Sequence, residues 1–525
     1  MRRSAALRPA TPRRAVALGL VVFLAACGGP GPTASPAASS SATAAPASPS
    51  ASPAATPTPP PRSFPLAVVA AFQDLRPAVS AADLGAAIAA GTVLVPCGLA
   101  SLSLAGGPAS LAVPSSCVDA DALVGRIRAA PTGTLGLLPA GLVTPSVKVL
   151  QIGDADLFGS PSHRSQPYPL TATASPAGPL TEAATAYDAT NVRTLVSTGD
   201  TCPDRGVSHM ANVVGKGWDW VLDGGTARYT GTHMTPYDWP AVDAVRVGDS
   251  GAVRAILQDA DLAVDDFECP FFKGFVQHDH GTVFSIDPRI APAMAEAGYD
   301  VVTLGSNHIT DGGARGVRET LAGLDAVGIK HVGAGLDLAG ALAPAVVDVR
   351  GVRFAFVGWD DIAGSGAAAP GTPGVAPMTD ANVASSLAAA RKAADVVIAM
   401  PQWGWPEYRA PFSNQQLEQR AFFYASGADH ILGSGTHWAG AISVTPGPNG
   451  PQLAVTSHGN FLFDQSWSRE TEEGNIVELT FVGTRLAQVR LHPYVVLEGA
   501  QPNLTNPETD GAFVLRQVFK VSDIR

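Results

Sequence analysis

An amide, an imidazole and a carboxylate stand close together at Asn307, His308 and Asp311, in the stretch Tyr299-Asp300-Val301-Val302-Thr303-Leu304-Gly305-Ser306-Asn307-His308-Ile309-Thr310-Asp311-Gly312-Gly313. Such a set suits a divalent metal or a phosphoryl group. The flanks say what must position it. Val301 to Leu304 is a short β-branched run that reads as a buried parallel strand, Gly305, Gly312 and Gly313 open its far end, and an amphipathic helix follows from Val317 to Val327. The three residues then lie at the C-terminal edge of a strand, where open α/β sheets bind ligands. Taken alone, the stretch is equally well explained by an Asn turn and a His capping the next helix.

The same edge is polar on strand after strand. From Thr190 onward strand and helix patterns alternate through Thr194 to Ser197, Val253 to Asp259, Leu262 to Val264, Pro288 to Glu296 and Val301 to Leu304. They continue through Phe354 to Val357, the Ala-rich helix Asn382 to Ala394, Val396 to Met400, Gln415 to Ser426 and His430 to Leu432. Alternation of this kind implies α/β layering. After Gly440 the helix patterns stop, and β-patterned runs take over (Ala441 to Thr445, Gln452 to Thr456, Asn475 to Phe481, Arg485 to Leu491), as if a second sheet packs on the first. Two sheets with helices outside make a four-layer α/β/β/α sandwich. Its strand ends would carry Asp200; Asp265, Asp266 and Glu268; Asn307, His308 and Asp311; Gln402, Trp403 and Glu407; Asp429 to His437; and Ser457, His458 and Asn460. Six polar edges in succession exceed what turns and caps require.

At 525 residues the chain has room for two or three domains. Its 34 Lys and Arg against 45 Asp and Glu give a formal net charge of -11, and no basic cluster offers a face to nucleic acid, which argues against that partner. Arg2, Arg3, Arg13 and Arg14 precede the apolar run Ala15 to Ala26, the order of a secretory signal and too short for a membrane span. Leu24-Ala25-Ala26-Cys27-Gly28 resembles the lipobox of bacterial lipoproteins, which implies a signal over residues 1–27 and diacylation of Cys27. A coincidental Cys after a cleavable signal is the alternative. Arg13-Arg14 suggests twin-arginine export, but the residues after it fit that motif poorly. On the lipobox reading the protein belongs to the cell envelope, lipid-anchored to the outer face of the cytoplasmic membrane. Residues 28–63 are Ala, Ser, Thr and Pro with almost nothing to bury, and are expected to be a disordered tether.

Residues 64–185 are expected to form a small α/β domain, with strands at Val93 to Pro96, Leu135 to Leu138 and Val147 to Ile152 and helices around Ala81 to Ala90 and Asp119 to Ala129. The run Gly133 to Pro139 with Val147 to Leu150 and Tyr168 to Leu170 is weakly similar to phosphate-type periplasmic solute-binding domains, without a diagnostic ligand set. Four cysteines remain besides Cys27. An even count in an exported chain favours two disulfides, and locality suggests Cys97 with Cys117, which leaves Cys202 and Cys269.

In order and spacing, the motifs from Thr190 to Pro493 resemble the CapA-type bacterial capsule-synthesis proteins, associated with poly-γ-glutamate capsules and related to calcineurin-like metallophosphoesterases. The family pattern is Gly-Asp, Asn-Leu-Glu, Asn-His-x-x-Asp, His-Trp-Gly-x-x-Glu-Tyr, Gly-x-His-x-His and Ser-Leu-Gly-Asn-Phe. The third motif is fully kept here. Elsewhere the chain departs: Asp266 replaces the Asn before Glu268, Gln402 and Gly435 replace two histidines, and His458 stands where Leu is usual. The resemblance implies a metallophosphoesterase-like fold over residues 190–525.

Carried over residue by residue, it implies one metal site from Asp200, Glu268 and His437. A second site keeps only Glu268 and Asn307, with Gln402 a poor substitute, and Asp266, Glu407, His458 and Asn460 are the further candidates there. His458 or His209 could compensate as a ligand. The implied cofactor is a divalent metal, Mn, Fe or Zn, at one site rather than two, whereas two-metal phosphoester hydrolysis needs ions about 3.5–4 Å apart. His308 would donate a proton to the leaving oxygen, held by Asp311. The implied partners are a capsule polymer or the envelope machinery of capsule synthesis. Two functions compete: a metal-dependent hydrolase with a depleted site, and an inactive homologue that binds a polymer or partner in the retained cleft. In the family fold the loops of Cys202 and Cys269 leave neighbouring strand ends, so the resemblance also implies a bond between them, with two buried free thiols as the alternative.

Overall fold

The computed structural model describes residues 63–524 except 108–110, 177, 249, 363, 365 and 405–406. The signal-like segment, Cys27 and the tether up to residue 62 lie outside the described residues. Among the described residues no helix is long and apolar enough to cross a membrane.

From Val192 the chain builds β1 (Val192–Thr201), a hairpin of β2 (Thr226–Met234) and β3 (Pro240–Arg246), then α1 (Ala252–Asp259), β4 (Leu262–Phe267), α2 (Ile290–Ala297), β5 (Val301–Thr303), α3 (Gly313–Val327) and β6 (Lys330–Val332). Next come β7 (Ala345–Val349), β8 (Val352–Asp360), α4 (Asp380–Ala393), β9 (Val396–Gln402), α5 (Asn414–Ala425), β10 (His430–Leu432), β11 (Ile442–Gly447) and β12 (Gly450–Val455). The chain then adds β13 (Asn460–Leu462), β14 (Glu473–Val482), β15 (Arg485–Leu497), β16 (Gln501–Thr505), α6 (Ala512–Val521) and β17 (Asp523–Ile524). One sheet has the order β6-β5-β4-β1-β14-β15-β16-β2-β3, with β13 also on β1; the other is β7-β8-β9-β10-β12-β11-β17.

Strand periodicity sorts the layers, because successive side chains point to opposite faces. In β4 Ala263 joins α1, α2 and α3 residues such as Leu257, Met294 and Leu321 in one core. Its neighbours Leu262 and Val264 meet Phe354, Phe356 and Ile398 of the second sheet in another. Beyond that sheet Ala355, Val357, Val397 and Ala399 pack under α4 and α5, through Val383, Leu387 and Phe423. The result is the α/β/β/α sandwich expected from the alternation. Its partition differs from the sequence reading. The second sheet starts at Ala345, the strands from Asn460 to Thr505 return to the first sheet, and a helix, α6, follows Gly440 after all. That helix buries Val514, Leu515 and Val518 on one face, a helical period that the β-rich surroundings mask.

Residues 63–174 make their own sheet, with Ser63–Ala71 at its centre between Val147–Ile152 and Leu170–Ala174, and the disulfide Cys97–Cys117 beside it. Val93 to Pro96, expected as a strand, makes only isolated bridges at Leu94 and Pro96. This sheet shares a core with the sandwich, where Val69 and Phe158 pack with Val192 and Ala487. Thr480 Oγ1 donates to the Phe158 carbonyl at 2.6 Å. Beside it a buried ion cluster joins Arg490 to Asp156 (2.7 Å) and to Glu478 (3.4 Å), and Glu478 to His492 (2.9 Å).

Candidate functional site

Three adjacent strand ends place the acids. β1 lies between β4 and β13, with Asp200 level with Asp266 on one side and Asn460 on the other. The approach depends on a missing side chain, since a Cβ on Gly199 would lie 1.9 Å from the Gly459 carbonyl oxygen. The next residue, Asp200, donates its backbone N–H to that same oxygen at 3.0 Å. Just beyond the strand ends the disulfide Cys202–Cys269 holds the two loops with Cα atoms 5.2 Å apart.

Asp200, Glu268 and His437, all buried, bring one ligand atom each within 4.8 Å of one another. Asp200 accepts backbone N–H groups from Gly435 (3.3 Å) and His437 (3.2 Å). The His437 tautomer follows from its neighbour. Asn460 Nδ2 donates to Gln465 Oε1 and to the Thr471 carbonyl, so its Oδ1 must accept from His437 Nδ1, 2.8 Å away. That nitrogen also lies 3.0 Å from Asp200 Oδ2, so in the neutral ring the lone pair is on Nε2. His437 sits at φ 58°, in the left-handed region, a strained backbone of a kind that clusters at ligand sites.

The acids are short of partners. Among the described residues neither oxygen of Glu268 or of Asp266 has a hydrogen-bond partner, nor does Asp265 Oδ2. Burial, then the Asp200 and Asp266 charges and Glu407, push the Glu268 pKa well up. Burial and the charges of Asp200 and Asp265 do the same to Asp266. Burial raises Asp265 too, although Thr198 and Thr201 hydroxyls donate to it. For His437 burial opposes protonation, but the Asp200 carboxylate outweighs it and the pKa is raised. Asp200, Asp266 and Glu268, buried and repelling one another, must either hold protons or surround a cation. The donor set of two carboxylates and an imidazole nitrogen fits a divalent ion of the Mn, Fe or Zn type.

The other half of the cleft differs. Asn307 N–H donates to Gln402 Oε1 at 3.2 Å, which turns the Gln402 amide so that Nε2 donates to Asn307 Oδ1 at 2.8 Å. The Asn307 oxygen is thereby engaged. Gly435, at φ 89°, has no room for a side chain beside Gln402, whose Cγ would lie 2.8 Å from a Cβ there. His308 Nδ1 donates to Asp311 Oδ2 at 3.0 Å, and Asp311 is itself held by the Phe284 N–H at 2.9 Å. The His308 ring meets Phe284 edge-on at 4.6 Å, and Phe284 and Phe463 link it to His437.

Of the remaining sequence candidates, His458 is buried outside the three-residue cluster, its Nδ1 on the Gly433 carbonyl and its Nε2 without a partner among the described residues, and burial lowers its pKa to about 4. His209 is exposed on a short π-helical turn and does not join the cluster. Glu407 is half-buried, close enough for its charge to act on Glu268 and His437. Tyr408, the Tyr that ends the fourth motif, stacks on His437 at 5.7 Å, and sequence reasoning missed Trp467, edge-on to Tyr408 at 5.8 Å. The Trp467 signal, a lone aromatic in a polar loop, was available.

A two-sheet α/β sandwich with an acid-rich pocket at its strand ends defines the class of protein. Residues 194–465, just over half of the chain, match the family described as Bacterial capsule synthesis protein PGA_cap, and the chain belongs to that family. It is similar to the PGA biosynthesis protein CapA of Bacillus subtilis, 27% identical over 52% of this chain and 71% of that protein. The capsule biosynthesis protein CapA of Bacillus anthracis is 28% identical over 51% of this chain and 66% of its own length. A probable polyglutamine synthesis accessory protein of Mycobacterium tuberculosis is 30% identical over 42% of this chain and 60% of its own. Among solved structures, the calcineurin-like phosphoesterase YfkN from Bacillus subtilis is 13% identical with a TM-score of 0.31, over 62% of this chain and 97% of that one.

Proposed function

We propose that the protein is an envelope lipoprotein of capsule-polymer synthesis or export that acts on its polymer at a single divalent-metal centre held by Asp200, Glu268 and His437. The observation that carries this reading is the fully buried Glu268, with neither carboxylate oxygen hydrogen-bonded among the described residues, whose ligand atom lies within 4.8 Å of one from Asp200 and one from His437. A bound ion would supply Lewis-acid activation of a substrate oxygen or of water. The chain's own groups divide the remaining work. Asp311 fixes the His308 tautomer so that Nε2 is left to exchange a proton with a leaving oxygen, and the Phe284 ring beside it excludes water. Asn460 orients His437 from behind.

A second reading, a cleft that binds polymer without turning it over, is favoured by the Gln402–Asn307 amide pair, which closes the half where a second ion would sit. Elemental analysis of purified protein after loading with Mn, Fe or Zn tests the first reading. We expect one ion per chain, and substoichiometric metal at every loading removes the centre. Turnover of bis-p-nitrophenyl phosphate by the one-ion form separates enzyme from binder. For the anchor, Cys27→Ser should release the protein from membranes, because a second acyl chain is what makes anchoring stable. Continued sedimentation with membranes would reject the lipid at Cys27.

A further inference from the structure

Three non-glycine residues with a left-handed backbone gather at the cleft: Arg205 at φ 44°, Tyr408 at φ 57° and His437 at φ 58°. Tyr408 stacks on His437. The Arg205 guanidinium lies 5.0 Å over the Phe284 ring, which meets His308 edge-on, and 5.5 Å over the Phe463 ring, which meets His437 edge-on. It therefore stands one ring away from the histidine of each half of the cleft. Its charge also reaches Tyr408, whose hydroxyl burial and Glu407 push up and Arg205 draws down. Strain of this kind persists only where neighbours enforce it. Here Asp204 Oδ1 accepts the Arg205 N–H at 2.7 Å and Gln277 Nε2 donates to the Arg205 carbonyl at 3.1 Å, so both sides of the strained residue are held.

The side chain has donors to spare. Nε and Nη2 both donate to Asp464 Oδ1, and Nη1 donates to the Gly281 carbonyl at 2.8 Å. Bonds to the described residues thus use three of the five N–H groups of the guanidinium and leave two. The side chain is 12% exposed, so a solute can reach it. Two N–H groups on one planar cation are what a carboxylate or phosphate takes in parallel hydrogen bonds. The Asp464 pair fixes the fork before any ligand arrives, which lowers the ordering cost of binding. Asp200 and Glu268 match the charge of a divalent ion between them, so Arg205 is the cation left to meet a negative charge on the substrate. We propose that Arg205 is the specificity-determining residue of the cleft: its two unspent N–H groups hold an oxyanion, carboxylate or phosphate, that the polymer carries beside the group it presents to Asp200, Glu268 and His437. The inference rests on the reading of that pocket as the polymer-acting centre, and it adds the charge the polymer must carry there.

The test uses full-length protein in detergent micelles, with and without added Mn, and measures by calorimetry the binding of three hexamers: γ-linked glutamate, the same chain with every free carboxylate converted to carboxamide, and glycerol phosphate. At least one of the two charged hexamers should bind about ten- to a hundredfold tighter than the neutral one, and which of them does so separates a carboxylate from a phosphate. Arg205→Gln should bring that ratio to within about twofold while leaving the neutral hexamer as it was. Arg205→Lys, which keeps a charge for Asp464 but not the planar fork, should lose about three- to tenfold of the ratio. Wild-type protein that binds neither charged hexamer, or binds the neutral one equally well, overturns the proposal without recourse to a variant. So does Arg205→Gln protein that keeps the full preference, or that weakens all three hexamers alike, which would reduce Arg205 to a clamp on the Gly281 loop. One ion per chain with no preference for charge defeats the Arg205 assignment alone. An Arg205-dependent preference in protein that holds no metal at any loading defeats the metal centre alone.

Discussion

The cleft and the junction beneath the N-terminal sheet bury comparable numbers of charges and treat them in opposite ways. At the junction Arg490 faces Asp156 and Glu478, Glu478 faces His492, and Asp156 also accepts the Phe158 N–H. In the cleft Asp200, Asp266 and Glu268 crowd together with Asp265 close by, and backbone N–H groups, hydroxyls and the His437 ring reach them, but among the described residues no Arg or Lys pairs with them. Burial costs each charge the same desolvation, so what differs is who compensates it. The junction is satisfied by the chain itself and holds two sheets together. The cleft leaves part of the compensation to something that is not protein.

The sharpest break of this contrast is at Arg490. Arg490→Met should destabilise the fold by about 3–5 kcal/mol in urea unfolding, because Asp156 and Glu478 would be left buried without their cation. A loss below about 1 kcal/mol would mean that the cluster is not compensated as described. Next in size is acid. Against the opposing effect of burial, Arg490 and His492 hold the Glu478 pKa down to about 2. A depressed carboxyl contributes stability that is complete above its unfolded value near 4.3 and is lost as pH falls to about 2, on the order of 3 kcal/mol over that window. Glu478→Gln should flatten that part of the stability profile.

The cleft should respond with the other sign. Glu268→Gln removes a buried carboxylate that no hydrogen bond compensates among the described residues, so metal-free protein should gain about 1–2 kcal/mol at pH 7 while losing the capacity to retain an ion. Destabilisation of the metal-free form by this change would erase the contrast. The smallest effect is in the other half of the cleft. Gln402→His should raise bound metal from one ion per chain toward two, read by elemental analysis, because it releases the Asn307 oxygen and supplies an imidazole. Gly435→His alone should not, because its left-handed backbone and the Gln402 Cγ oppose the new side chain.

How much of this could be read from the sequence depends on whether the signal was local. The parallel strands of both sheets are continuous apolar runs because both faces are covered, so Val301 to Leu304 or Val396 to Met400 stand out. The β2–β3 hairpin does not. Most of β2 is exposed, its residues alternate nothing, and its place beside β16 is a long-range pairing. At the site, the motif order put Asp200, Glu268 and His437 on one list, since each ends a strand run. That Gln402 engages the Asn307 oxygen could not be read, because it depends on which way an amide is turned, and a backbone N–H decides that. The return of β13 to β1, which brings Asn460 to His437, was hidden for a similar reason: a three-residue strand carries no periodicity of its own.

The central position of Ser63–Ala71 in its sheet has a mechanical consequence. Tension arriving through the residues before Ser63 enters a strand with antiparallel partners on both sides, pairing at Thr171 to Thr173 and at Val147 to Leu150. Those ladders are loaded along the strand axis, so many hydrogen bonds share the force at once instead of opening one after another from an edge. Pulled from its N-terminus, the protein should resist like a sheared joint, and the His437 pocket should keep its geometry under loads that would unzip an edge-attached domain.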